Sequence, residues 1–163
     1  MTDDCLICSR IAQIHQGANP HFVAELTTGF VVIGDHQYFK GYTLFLCKEH
    51  VTELYHCEKE MKENFLIEMS LVAEAVHRCF KPDKLNYELL GNGDAHMHWH
   101  LFPRRKDETG PKGPVWWTDR SVMYSDEAKP DAAELASMKS RLYAELALIA
   151  GERIVQAGVT LGD

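Results

Sequence analysis

The segment His96-Met97-His98-Trp99-His100-Leu101-Phe102-Pro103 is the part of the chain on which the rest of the reading turns. Side chains of an extended strand alternate between its two faces. A strand over His96 to Pro103 therefore aligns His96, His98 and His100 on one face and sets Met97, Trp99 and Leu101 on the other. A solvated sheet face usually draws on Lys, Glu and Thr, so three imidazoles in register point to chemistry. Just upstream, Lys84 to Leu90 has the composition of a second strand. The turn Gly91-Asn92-Gly93-Asp94 separates the two, which predicts a hairpin with a loop of about four to five residues.

Further out, His21 to Leu26, Phe30 to Gly34 and Tyr42 to Cys47 are rich in β-branched and aromatic residues, with Thr27-Thr28-Gly29 and Lys40-Gly41 between them, and read as three more strands. Leu6, Ile7, Ile11 and Ile14 have helical spacing over Leu6 to His15, and Gly17 and Asn19-Pro20 stop that helix. Between Glu58 and Phe80, Met61, Phe65, Met69, Val72, Val76 and Phe80 form one apolar stripe on a long helix that Pro82 ends. Arg104 to Lys129 is charged and rich in Gly and Pro and reads as a long surface connection carrying Trp116 and Trp117. A last helix over Asp131 to Ile149 has Leu135, Met138, Leu142, Leu146 and Ile149 on one face. The expected fold class is α+β, an antiparallel five-stranded sheet with one long helix and a C-terminal helix. No Gly-rich dinucleotide fingerprint and no P-loop occurs.

The chain has 163 residues, with 45% hydrophobic and 25% charged side chains, as in a soluble globular domain. The longest apolar runs are too short to span a membrane. Met1 to Cys8 has no basic stretch leading into an apolar one, so the expected location is cytoplasmic. The net charge of -7 disfavours sequence-independent binding to long nucleic acid but leaves a small phosphate-bearing ligand open. Of the five cysteines, Cys47, Cys57 and Cys79 lie in apolar or helical stretches and read as small buried hydrophobes.

Two kinds of chemistry fit the histidine row. Neighbouring imidazoles on one strand face, about 7 Å apart at the backbone, can converge on one metal ion and form a hydrolytic zinc site. Alternatively, one imidazole acts as nucleophile or general acid/base while its neighbours orient it or bind an anion. Cys5 and Cys8 form a C-x-x-C pair, which can chelate zinc with two further ligands, the candidates being His50 and one histidine of the row. A redox pair and two ordinary cysteines are the competing readings of that spacing.

His96-Met-His-Trp-His-Leu-Phe resembles the H-φ-H-φ-H-φ-φ motif of the histidine triad family of nucleotide hydrolases and transferases, and Pro103-Arg104 resembles its continuation. Cys5-Leu-Ile-Cys8, Phe30-Val-Val-Ile-Gly-Asp35 and Gly41-Tyr-Thr-Leu-Phe-Leu-Cys-Lys-Glu-His50 resemble further segments of the same family. The likeness runs from Cys5 to about Arg105, with Tyr42 where histidine is frequent and a shorter loop before the triad.

The resemblance implies a catalytic domain over residues 1–105, an extension over 106–163 packed on it, and a homodimer that joins two five-stranded sheets. It implies that His98 attacks the α-phosphorus of a purine nucleotide, such as a dinucleoside polyphosphate or nucleoside phosphoramidate, to form a nucleotidyl-histidine. His100, Asn92 and Gly93 would contact the phosphate, and Asp35 would accept hydrogen bonds from the ribose. Cys5, Cys8, His50 and His96 would hold a structural zinc ion. The alternatives are a zinc-dependent hydrolase with all three histidines as ligands, and a nucleotide-binding regulatory module with little turnover.

Overall fold

A computed structural model describes residues 5–159. It has the α+β architecture, with helix α1 over Leu6–His15, strands β1 (Phe22–Glu25), β2 (Gly29–Ile33) and β3 (Thr43–Cys47), and the long helix α2 over Lys59–Phe80. Strands β4 (Lys84–Glu88) and β5 (His98–Arg104), the short helix α3 (Arg120–Met123), helix α4 (Ala132–Ala150) and strand β6 (Gln156–Ala157) complete it. Among the described residues the sheet has six strands in the order β4-β5-β3-β2-β1-β6, one more than the sequence suggests. The additional strand is two residues that pair antiparallel with β1, too short to carry a periodic signal.

The apolar stripes named from spacing sort the helices onto opposite faces of the sheet. Phe65, Val72 and Val76 of α2 and Met138, Leu142 and Leu146 of α4 pack with Val31, Ile33, Phe45 and Leu101 in the main core. Ile7, Ile11 and Ile14 of α1 pack with Phe22, Phe30, Val32 and Leu46 on the other face. Alternation in β5 follows the same division, with Trp99 and Leu101 toward the main core and His98 and His100 beside β3 residues Leu46 and Leu44.

Two expectations need correction at the β4–β5 junction. The connection runs from Leu89 to Met97 and is not a short hairpin turn. His96 also lies outside the strand, because Met97 donates its N–H to the Val51 carbonyl and accepts from Cys47 N–H, drawing the chain away from the β4–β5 ladder. The triad is therefore divided, with His98 and His100 on β5 and His96 on the approach to it.

Arg104 to Lys129 is more ordered than a surface connection. Val115 and Met123 are buried with Phe39 and Phe102, while Trp116 and Trp117 of the short turn Val115–Trp117 are about three-fifths exposed. The Arg104 guanidinium donates to Glu108, Asn86 and the Gly113 carbonyl.

Glu68 on α2 is fully buried, although its charged side chain kept it out of the stripe read from the sequence. It accepts from Thr28 N–H at 2.8 Å and Thr28 Oγ1 at 2.5 Å, and from Arg153 at 3.3 Å, which ties α2 to the β1–β2 turn and to the turn at Gly151–Arg153. Replacing Glu68 by Leu keeps the volume but leaves the Thr28 donors buried without an acceptor, a cost of about 1–3 kcal/mol per orphaned group. Urea unfolding of Glu68→Leu is expected to show that loss at unchanged m-value.

Candidate functional site

The loop before β5, the end of β3 and the start of α1 bring Cys5, Cys8, His50 and His96 together. One ligand-capable atom from each lies within 4.8 Å of the others. Cys5 caps α1 by accepting from Cys8 N–H at 3.4 Å, so the C-x-x-C spacing turns both sulfurs to the same side of the first helical turn. Cys8 Sγ is 3.2 Å from His50 Nδ1 and 3.4 Å from His96 Nδ1, and Cys5 Sγ is 3.7 Å from His96 Nδ1. Ligands placed tetrahedrally around zinc at ordinary Zn–S and Zn–N lengths are about 3.3 to 3.8 Å apart, so the three shortest separations match the ion and the widest, within 4.8 Å, closes by a small side-chain shift. His96 is 1% exposed, and its Nε2–H donates to the Cys47 carbonyl at 2.8 Å, which leaves the Nδ1 lone pair facing the sulfurs.

That orientation separates His96 from the other two histidines of the row. His98 and His100 face a cavity of about 290 Å³ between α1 and the sheet, lined also by Leu6, Ile7, Arg10, Val32, Asp35, Tyr42, Leu44 and Asp94. Their rings are 4.6 Å apart at a steep angle. Among the described residues, the group with metal-ligand geometry is the Cys5, Cys8, His50 and His96 cluster and not the three histidines.

His98 is 7% exposed, and its Nδ1 lies 2.6 Å from the His96 carbonyl oxygen. A carbonyl only accepts, so Nδ1 carries the proton and Nε2 keeps its lone pair. His100 is held differently. Its Nδ1 is 2.6 Å from Tyr42 Oη, a hydroxyl that both donates and accepts, so this bond fixes where the ring sits. Burial, and then the neighbouring His98, push the His100 pKa down to about 4, which keeps that ring neutral. Burial likewise raises the Tyr42 phenol well above its usual value.

Two glycines allow Tyr42 to take this position. A Cβ on Gly34 would collide with the Tyr42 ring, and one on Gly41 would meet the Phe80 ring at 2.5 Å. Gly41 also has φ +94°, which side-chain-bearing residues rarely adopt. The Tyr42 ring then stacks on Phe102 with centroids 4.2 Å apart.

The remaining expected residues fall in different places. Asp35 lines the cavity, where it pairs with Arg10 of α1 and lies 3.6 Å from His21 Nε2. Asn92 and Gly93 are exposed on the loop and are not in the cavity wall, whereas Asp94 is. Asn86 is held by Arg104 on β4. Arg10, His21, His36, Tyr42 and Tyr124 also reach the cavity, and spacing did not single them out for it. Only Tyr42 had a local signal, its place after Gly41 in the family-like segment. A wider depression of about 600 Å³ beside β4 contains Lys106 and Lys112. Lys106 faces Asp83 and Lys112 donates to the Lys106 and Glu108 carbonyls, so this depression offers no comparable constellation.

Comparison with known proteins gives a consistent result. Residues 19–107 match the family described as the HIT domain. Protein hit of Bacillus subtilis (strain 168) is 28% identical over 150 residues, spanning 89% of this chain and 96% of that protein. A histidine triad protein from Marinobacter aquaeolei VT8 has a TM-score of 0.66 at 25% identity, covering 80% of this chain and 90% of its own. A histidine triad protein from Bradyrhizobium japonicum has a TM-score of 0.68 at 24% identity, with coverage of 77% and 89%. A Zn-bound histidine triad family protein from Mycobacterium smegmatis shares the fold at a TM-score of 0.62 and 20% identity, over 91% and 97% of the two chains.

The depressed His100 pKa has a consequence for stability. Between about pH 6.5 and 4 the unfolded chain binds a proton at this residue that the folded chain does not, so folding stability falls as pH drops through that window. Thermal unfolding across that range is expected to show the decline, with a shallower slope in His100→Gln.

Proposed function

This chain belongs to the histidine triad family, a family of nucleotide-binding hydrolases and transferases, and from that premise we propose that it transfers a nucleotidyl group from a purine nucleotide through His98. The observation that carries the proposal is the 2.6 Å contact between His98 Nδ1 and the His96 carbonyl, which leaves Nε2 as the available nucleophile beside the cavity. The substrate class is a dinucleoside polyphosphate or a nucleoside phosphoramidate. His98 Nε2 attacks the α-phosphorus, a nitrogen–phosphorus bond forms, and the bond to the leaving oxygen or nitrogen breaks with its electron pair. The ring becomes cationic, and the His96 carbonyl then accepts from a charged donor, a stronger hydrogen bond than before. Water or another acceptor attacks the nucleotidyl-histidine, releases a proton, and returns the bond pair to His98.

His100 offers a neutral N–H to a phosphoryl oxygen where negative charge builds up. Asn92 and Gly93 act on the phosphate from the loop beside Asp94, which lines the cavity. The Asp35 carboxylate accepts from the ribose hydroxyls with lone pairs that Arg10 and His21 do not use. A homodimer belongs to the same reading, and β4, an outer strand with half-exposed Tyr87, supports it.

Cys5, Cys8, His50 and His96 would hold a zinc ion, and the donor distances support that assignment. When bound, the ion supplies rigidity by tying α1, the end of β3 and the approach to β5 together. The chemistry at phosphorus stays with His98.

A panel of α-phosphate-labelled dinucleoside polyphosphates and phosphoramidates, quenched rapidly in turnover, tests the mechanism. Acid-labile label is expected on the wild-type protein and not on His98→Ala, whose kcat falls by about 10⁴-fold or more. Turnover without trapped label, undiminished in His98→Ala, would falsify the proposal. Elemental analysis is expected to find one zinc per chain, and Cys8→Ser to lose it with a drop in Tm of about 10 °C.

A further inference from the structure

The family match ends at residue 107, yet a side chain from beyond that point reaches the cavity. Tyr124 follows α3 and lines the cavity together with Asp35 and His36. Its position is set by buried contacts on either side. Met123 is buried with Phe39 and Phe102, and Gln37 N–H donates to the Ala128 carbonyl at 2.6 Å. The Tyr124 ring itself takes no part in that packing and stays 49% exposed. The His36 ring meets it edge-on at 5.5 Å, and the Arg120 guanidinium lies over it at 5.6 Å. Tyr124 thus stands at the cavity wall with about half of its surface uncovered.

We propose that Tyr124 is a specificity-determining residue that gives the nucleobase an aromatic face, an inference that rests on the nucleotide reading of the His98 cavity. In a nucleoside the base is bonded to the sugar carbon next to the one that bears the 2′-hydroxyl. A ribose whose hydroxyls reach Asp35 therefore carries its base to the groups beside Asp35 and away from the phosphate. Besides Arg10 and His21, which pair with Asp35, the cavity offers there His36, the next residue in the chain, and Tyr124, whose ring meets His36, with Leu6 and Ile7 contributed by α1. A flat aromatic ring suits stacking against a base, and such stacking tolerates any base that is flat.

The test compares binding of adenosine 5′-monophosphate and ribose 5-phosphate by calorimetry to the wild-type protein, Tyr124→Ala and Tyr124→Phe. The wild type is expected to bind the mononucleotide more tightly than the sugar phosphate. Loss of a stacked base costs about tenfold or more in affinity, so Tyr124→Ala should weaken the mononucleotide by that factor and leave ribose 5-phosphate within about twofold. Tyr124→Phe should stay near the wild type. Equal effects of Tyr124→Ala on both ligands, or no effect on either, would overturn the inference, as would a Tyr124→Phe as weak as Tyr124→Ala. A wild-type protein that binds neither ligand would remove the nucleotide reading itself, a different failure from a wild type that binds the mononucleotide independently of Tyr124.

Discussion

The carbonyl oxygen of His96 holds the site together. It accepts from His98 Nδ1, and so one backbone group determines which nitrogen of His98 keeps a lone pair. That carbonyl is correctly placed only because the chain leaves the β4–β5 ladder at Met97, which is bonded to Val51 and Cys47, while the His96 side chain turns to the sulfurs of α1. The metal-competent cluster and the cavity thus meet at one residue, the ring of His96 serving the first and its backbone the second. A change that frees the His96 ring also loosens the acceptor on which His98 depends.

The cavity carries little free positive charge of its own. The Arg10 guanidinium is paired with Asp35, and His100 stays neutral because burial opposes its protonation. Oriented N–H groups in a pocket with little water act strongly on charge that develops during reaction, and they need no reorganisation when it appears.

Much of this arrangement can be followed in the sequence because its parts are short-range. Helix α1 occupies Leu6–His15 as its spacing indicates, and α2 and α4 bury the centres of the stripes marked by Phe65, Val72, Val76, Met138, Leu142 and Leu146. Cys5, Cys8, His50 and His96 come together as the family likeness implies, and His98, His100 and Asp35 share one cavity. Residues whose neighbours come from distant segments were not legible in this way. Glu68, charged and outside the stripe read from the sequence, is buried because Thr28 and Arg153 reach it, and Tyr124 arrives from a segment that composition alone describes as a surface connection.

By itself the amino-acid order determined the helical faces, the centres of five strands and the identity of the chemical groups, since periodicity and turn residues act within a few positions along the chain. The tertiary structure decided which way each imidazole faces. Ring orientation follows from hydrogen-bond partners that belong to other segments, the Cys47 carbonyl for His96 and the Tyr42 hydroxyl for His100, or from a bend in the backbone for His98. Three histidines that look equivalent on a strand thus become one member of a sulfur cluster, one ring tied at Nδ1 to a backbone carbonyl and one buried ring bonded to a phenol.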